Sequence, residues 1–292
     1  FVTPSTIMTP KTFRFYNSKM RNVVNDYFDV AVGIVRKAGR FITQYGSGCE
    51  EFEVKSCDID FVTKVDKMVE NFIIHSISKQ YPSHKFIGEE SVAGGAKVDL
   101  TDDPTWVIDP VDGTMNFVHG FPFSCISLAL LISKEPVLGI IYNPLMDKLY
   151  SAKEGQGACL NGEPIHTSKV KELRHALVAF ETGTSRDEEK VKVVFENFKT
   201  MVGQAHGIRA LGSAALNMAM VAEGRADANF EFGIHIWDIA AGCLIVKEAG
   251  GVCIDPSGGP INLLSRRMLC AGRAELANEL SKKLTQYYPD HD

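Results

Sequence analysis

Apolar residues recur at i, i+3 and i+4 through Tyr27, Val30, Ala31, Ile34, Val35, Ala38, Phe41, Ile42 and Tyr45. That spacing predicts an amphipathic helix with Arg36, Lys37 and Arg40 on its wet side. Gly46-Ser47-Gly48 ends it. A second stripe, Val65, Met68, Val69, Phe72, Ile73 and Ile77, predicts another helix. Thr63-Lys64-Val65-Asp66 opens it as a capping box with Asp in place of Glu, and Tyr81-Pro82 closes it. A polar connection with a short strand near 53–55 joins the two. The period then changes. Short apolar runs at 85–88, 106–108, 124–131, 137–142 and 148–152 predict strands. Glu154-Gly155-Gln156-Gly157 and Asn161-Gly162 supply hairpin turns. Residues 85–166 therefore read as a β-rich meander after two helices, interrupted by a mobile Gly-rich connection at 92–103.

From about 170 strands and helices alternate. Strands are predicted at 176–180, 206–209, 226–232 and 252–255. Val191, Val194, Phe195, Phe198 and Met201 mark one helix. Leu211-Gly212-Ser213-Ala214 opens a second, which runs to Glu223 and stops at Gly224. Trp237-Asp238 opens a third, ending at Ala249 before Gly250-Gly251, and a last helix spans 274–285. The chain divides into an N-terminal α+β half, 20–168, and a C-terminal α/β half, 169–292. Residues 1–19 hold Lys11, Arg14 and Lys19 but no acid. They read as a leader, a disordered arm, or sequence upstream of a start at Met20.

The 292 residues are enough for a large core in one domain or two coupled ones. A formal charge of −5 argues against a nucleic-acid groove. No 18-residue apolar stretch suggests a membrane span. The seven cysteines are scattered and never at C-x-x-C spacing, which argues against zinc or a disulfide framework and for a reducing, cytoplasmic compartment. No cysteine starts a C-x-x-x-x-x-R phosphate loop.

The acids sit at element ends. The run 106–108 should stop at Asp109, because Pro110 has no N–H to continue a ladder. Asp109 and Asp112 would then share a tight turn closed by Gly113. Glu89 and Glu90 follow a strand, and Asp66 and Asp238 open helices. Asp66 and Asp238 also suit those positions through the helix dipole alone, and Glu90 reads as a solvated or structural acid. If the others converge, like charges near 4 Å repel by about 4 kcal/mol at an effective dielectric near 20. They must then take up protons or a divalent cation. Oxygen ligands without His or Cys select Mg²⁺, Mn²⁺ or Ca²⁺, and suit phosphoryl hydrolysis. A competing motif, Asp58-Ile59-Asp60-Phe61-Val62, matches the aspartyl nucleophile loop D-x-D-x-[TV], but Glu53-Val54-Lys55-Ser56-Cys57 before it makes a poor buried strand. His119 and His235 lie near motifs and read as structural.

Three long motifs carry a resemblance. They are Gly88-Glu89-Glu90-Ser91; Trp106-Val107-Ile108-Asp109-Pro110-Val111-Asp112-Gly113-Thr114-Met115-Asn116-Phe117; and Trp237-Asp238-Ile239-Ala240-Ala241-Gly242 with Glu248-Ala249-Gly250-Gly251. In that order they resemble the inositol monophosphatase family. Pro82-Ser83-His84, Phe117-Val118-His119, His206-Gly207-Ile208-Arg209 and Ser265-Arg266-Arg267 favour its animal members over bisphosphate nucleotidases or fructose bisphosphatases. The resemblance implies an α/β fold, a layered αβαβα sandwich, and hydrolysis of inositol monophosphates by direct water attack. It implies up to three Mg²⁺ per subunit, lithium inhibition and a homodimer. Glu89, Asp109 and the Val111 carbonyl would hold the first Mg²⁺; Asp109, Asp112 and Asp238 the second. Glu89 would face a third through water. Thr114 and Asp66 would orient or deprotonate the attacking water. Gly113 and Thr114 N–H groups would meet the phosphate. Gly212, Ser213 and Ala214 would sit by the inositol ring with Glu231 and Asp238. Met115 and Ser213 depart from the threonines common at those positions; Ser213 keeps the hydroxyl and Met115 does not. Two alternatives stay open. One is a related phosphatase acting on another sugar phosphate or a 3′(2′),5′-bisphosphonucleotide. The other is a catalytically silent metal- or partner-binding protein, although Glu89, Asp109, Asp112, Thr114 and Asp238 are all present.

Overall fold

A computed structural model describes residues 10–45, 52–54 and 61–292, with side chains from 21–45 and 64–292. The expectations for Gly46-Ser47-Gly48, Lys55, Asp58, Asp60, Cys49, Cys57 and the Thr63 side chain lie outside the described residues. Helix α1 (Pro10–Tyr45) begins inside the stretch read as a leader or arm. Strands β1 (Phe52–Val54) and β2 (Phe61–Thr63) pair antiparallel ahead of α2 (Lys64–Gln80). Then come β3 (Lys85–Gly88), the short helix α3 (Glu89–Ala93), β4 (Thr105–Asp112) and the short helix α4 (Thr114–Val118). The meander follows as β5 (Cys125–Ile132), β6 (Glu135–Asn143), β7 (Lys148–Lys153), β8 (Ala158–Leu160) and β9 (Glu163–Ile165). Strands β3 to β9 form one sheet in sequence order, antiparallel except for β3 with β4.

This sheet is covered on both faces, which is why its strands read as continuous apolar runs. Trp106 and Ile108 of β4 pack with Ile42 of α1 and Ile73 of α2. Val107, between them, points the other way, into a core with helices α6 (Ala214–Ala222) and α7 (Ile236–Glu248). Beyond those helices lies a second sheet, built from β10 (Leu177–Phe180), β11 (Gly207–Arg209), β12 (Ala228–Phe232), β13 (Val252–Ile254) and β14 (Arg267–Ala271). Its order is β11-β10-β12-β14-β13. Its outer face packs on α5 (Glu188–Gln204) and α8 (Ala274–Ser281). The layers are therefore α/β/α/β/α.

Strand β4, strand β14 and helix α8 also differ from expectation. Strand β4 does not end at Asp109 but continues through Pro110 to Asp112. Asp109 pairs with Ser127 and Asp112 with Cys125, so three steps on β4 oppose two on β5. The bulge leaves Pro110 and Val111 outside the register, and the missing proline N–H goes unneeded. The two aspartates thus lie on a kinked strand end rather than in a tight turn. Strand β14 went unpredicted although it lies between β12 and β13; its apolar run, Met268 to Ala271, follows the polar Ser265-Arg266-Arg267. Helix α8 stops at Ser281, short of 285.

Candidate active site

The bulge aims Asp109 and Asp112 toward the N-terminus of α7. One carboxylate oxygen from each of Asp109, Asp112 and Asp238 falls within 4.8 Å of the other two. Asp109 and Asp112 are buried and Asp238 is half-buried. Glu89, the first residue of α3, hydrogen-bonds with Asp109 and acts electrostatically on Asp112 and Asp238. Four acids named from three separate motifs therefore meet.

Each is held by its own local device. Asp109 Oδ1 accepts the Val111 N–H at 3.0 Å across the bulge. Asp112 Oδ2 accepts the Ser213 hydroxyl at 2.5 Å and the Ala215 N–H at 2.7 Å. Ser213 also caps α6, accepting the Leu216 N–H at 3.2 Å. The hydroxyl it shares with threonine is thus in use twice. Asp238 Oδ2 accepts the His235 N–H at 2.6 Å, three residues back at the start of α7. Thr114 Oγ1 lies 3.2 Å from Asp66 Oδ1 and 3.0 Å from the Val111 carbonyl. One hydroxyl proton serves one of those acceptors at a time. Gly113 takes a left-handed φ of 87°, and a Cβ there would meet the Phe123 and Gly212 carbonyls at 2.9 and 3.0 Å. Glu231 is buried on β12, with Asn229 Nδ2 donating to it at 3.3 Å. His119 closes α4, and His235 precedes α7, stacked on Trp237 at 4.4 Å.

The crowding shows in protonation. Burial, then Glu89, Asp112 and Asp238, push the Asp109 carboxyl well above its ordinary range. Burial and Asp238 carry Asp112 up to about 7, against the pull of Ser213 and Ala215. Burial carries Asp238 up to about 6, opposed by His235. Burial and Glu181 push Glu231 upward. An all-oxygen cluster that ionises so reluctantly fits a hard divalent cation, which replaces the protons as counter-charge.

Several residues with a hold on this site escaped the sequence reading. Buried Glu70 on α2 accepts the Glu90 N–H at 2.8 Å, the Ser91 N–H at 2.8 Å and the Ser91 hydroxyl at 2.5 Å, fixing the turn that carries Glu89. A Cβ on Gly88 would lie 2.5 Å from the Glu70 carboxyl carbon. The Glu90 backbone N–H is part of that turn. Asn116 Nδ2 donates to Phe123 and Leu211 carbonyls at 2.8 and 2.7 Å. Glu181 accepts the Leu211 and Gly212 N–H groups at 2.6 and 2.9 Å, and Asn217 Nδ2 at 2.8 Å. Glu181, directly after a predicted strand, carried the same element-end signal as Glu89.

An α/β/α/β/α sandwich with this acid cluster between its sheets defines a hydrolase of the phosphatase class. Residues 24–288 match the model of the inositol monophosphatase family, and the chain belongs to that family. It is 45% identical over 257 residues to inositol monophosphatase 1 of Bos taurus, covering 88% of this chain and 93% of that one. Among solved structures it is similar to the extragenic suppressor protein suhB from Bartonella henselae, with TM-score 0.80, 31% identity, and 89% and 99% of the two chains covered. It is also similar to SaIMPase-II solved with inositol monophosphate bound, with TM-score 0.72, 29% identity, and 88% and 93% covered. The chain is thus an enzyme of a phosphatase family. Among the described residues no helix is long and apolar enough to cross a membrane.

Proposed function

We propose that this enzyme hydrolyses inositol monophosphates to inositol and phosphate in a Mg²⁺-dependent reaction. The observation that carries the reading is the convergence of Asp109, Asp112 and Asp238 beside Glu89. Inositol monophosphate bound to SaIMPase-II, and the name of the Bos taurus relative, support the choice of substrate. Glu89, Asp109, the Val111 carbonyl, Asp112 and Asp238 would hold Mg²⁺. When bound, Mg²⁺ stabilises charge on the phosphoryl group and lowers the pKa of water.

The chain's own residues do the rest. Thr114, donating to Asp66, leaves its oxygen lone pairs free to accept from the attacking water. That proton passes through Thr114 to Asp66 as water oxygen bonds to phosphorus. The bond from phosphorus to the inositol oxygen breaks in line, and the alkoxide takes a proton from solvent. Gly113 and Thr114 N–H groups hold the phosphate at the start of α4. Glu231, Ala214 and the Gly212-Ser213 turn meet the ring, and Glu231 accepts from paired hydroxyls. No phospho-enzyme forms. The working unit is a cytoplasmic homodimer.

The test is phosphate release from inositol 1-phosphate, 2′-AMP, fructose 1,6-bisphosphate and a 3′,5′-bisphosphonucleotide, with and without Mg²⁺. Inositol 1-phosphate should lead, Mg²⁺ should be required, and millimolar-scale Li⁺ should inhibit. Preference for the bisphosphonucleotide would reassign the substrate. Single turnover in labelled water should place solvent oxygen in phosphate; a trapped aspartyl-phosphate would overturn direct attack. Glu231→Gln should raise KM for inositol 1-phosphate about tenfold while leaving phenyl phosphate nearly unchanged. Equal loss on both would remove Glu231 from ring recognition.

A further inference from the structure

Helix α7 presents Asp238 to the site, yet it starts on a poor capping residue. His235 stands at its N-cap, where Ser, Thr, Asp or Asn ordinarily accepts a first-turn N–H. Two carboxylates serve the backbone donors there instead. Asp238 turns back to accept the His235 N–H at 2.6 Å. Asp292, 56 residues along the chain, accepts the Ile236 N–H through Oδ2 at 3.0 Å. An anion in that position is favoured by the helix dipole.

The Asp292 side chain is only 4% exposed, and a carboxylate so hidden needs firm partners. Besides Ile236 it has two. Its Oδ1 lies 2.5 Å from His235 Nδ1 and 3.8 Å from Arg266 Nε. Arg266 Nη2 lies 3.2 Å from the other ring nitrogen, His235 Nε2. Arginine can only donate, so Nε2 carries the lone pair and the ring proton sits on Nδ1, donating to Asp292. Trp237 stacks on the imidazole with 8° between the planes. The carboxylate also arrives on restrained backbone. After α8 the chain passes Arg267, whose guanidinium donates to the Tyr287 carbonyl at 2.7 Å and to Gln286 Oε1 at 3.0 Å. The Asp292 N–H then donates to the Leu264 carbonyl at 3.0 Å.

We propose that Asp292 is a positioning residue for the cation site: its carboxylate clamps His235 and Ile236 at the start of α7, and the His235 N–H in turn holds Asp238 in place as a ligand. This deepens the reading of Asp238 given above and rests on it. The connection runs through printed contacts at every step, from Asp292 to His235 and Ile236, and from His235 to Asp238. Nothing local in the sequence marks it. Asp292 lies beyond the last predicted helix, and Asp290, the same residue type two positions earlier, is exposed.

The experiment titrates Mg²⁺ into the metal-free full chain by calorimetry and sets the result beside turnover of inositol 1-phosphate. Asp292→Ala should weaken Mg²⁺ binding about fivefold to tenfold, and saturating Mg²⁺ should restore kcat to within about twofold of wild type. Asp292→Asn, which keeps an acceptor for the Ile236 N–H, should lose only about twofold in affinity. Asp290→Asn should match wild type. In the metal-free protein, amide exchange at Ile236 should speed up about tenfold in Asp292→Ala, because its acceptor is gone. A merely structural role would lower the fraction of binding-competent protein and leave the affinity of that fraction unmoved. That result, unchanged exchange at Ile236, or an equal loss in Asp290→Asn would overturn the proposal. If Asp292→Ala does not fold, the twofold loss in Asp292→Asn carries the test; failure of both to fold would make Asp292 a folding residue and overturn it too. A wild type that neither binds nor requires Mg²⁺ would sink the cation reading of Asp238 instead. A Mg²⁺-dependent wild type with unmoved affinity in Asp292→Ala would sink only the role of Asp292.

Discussion

Asp109→Asn is expected to lower kcat/KM for inositol 1-phosphate by about 10³-fold or more, and in the metal-free protein to raise the melting temperature. The two effects share a cause. Asp109 is buried and faces Glu89, Asp112 and Asp238 together. A negative charge there is disfavoured without a cation and useful with one. Asparagine keeps the carbonyl that accepts the Val111 N–H across the bulge, so the strand end retains its shape. What disappears is one anionic ligand and one source of like-charge repulsion. Removing that repulsion should stabilise the apo-protein by about 1–3 kcal/mol, or a few degrees in a chain of this size. Calorimetric melts in EDTA, set beside Mg²⁺ titrations, read both signs at once. Near-wild-type turnover in Asp109→Asn, or a lower apo melting temperature with intact folding, would contradict the assignment of this carboxylate as a cation ligand.

The same cluster explains what could be read from sequence and what could not. Asp109, Asp112, Glu89 and Asp238 stood out because each ends or opens a periodic element, where a side chain reaches a cleft instead of a core. Even so, the geometry that joins Asp109 to Asp112 was misjudged, since a bulge depends on the register of the partner strand and β5 lies beyond the motif. Strand β14 escaped because its short apolar run gains its meaning only from β12 and β13 on either side. Ser213 was placed near the ring by resemblance, but its bond to Asp112 spans 101 residues of sequence and could not be read locally. Glu70 and Glu181 show the same limit. Each becomes part of the site only when the fold brings three backbone or side-chain donors to it. Local pattern revealed which groups carry charge; long-range pairing decided which of them hold the others still.

Stabilisation by Mg²⁺ is expected to grow steeply between pH 5 and pH 8, with the metal-free protein moving the opposite way. In the unfolded chain an aspartate titrates near 3.9. In the folded, cation-free site Asp112 titrates at about 7 and Asp238 at about 6. Between pH 4 and 7 the folded state therefore holds protons that the unfolded state has released. With more protons bound in the folded state, stability falls as pH rises through this window and levels off above it. For Asp112 alone, moving from 3.8 to about 7 corresponds to a loss on the order of 4 kcal/mol across the window. Mg²⁺ reverses the trend, because it binds only where protons have left and stabilises by RT ln(1 + [Mg²⁺]/Kd). At a Mg²⁺ concentration about 10² to 10³ times Kd, the melting-temperature gain should be several degrees at pH 8 and close to nothing at pH 5. Titration calorimetry at pH 6.5 in two buffers of different ionisation enthalpy should register at least one proton released as Mg²⁺ enters. Asp112→Asn should flatten the apo pH dependence by removing a group that titrates at about 7. A gain that is the same at pH 5 and pH 8, with no buffer dependence of the binding heat, would mean that these carboxylates are already ionised without metal, and that their crowding is relieved by some other charge.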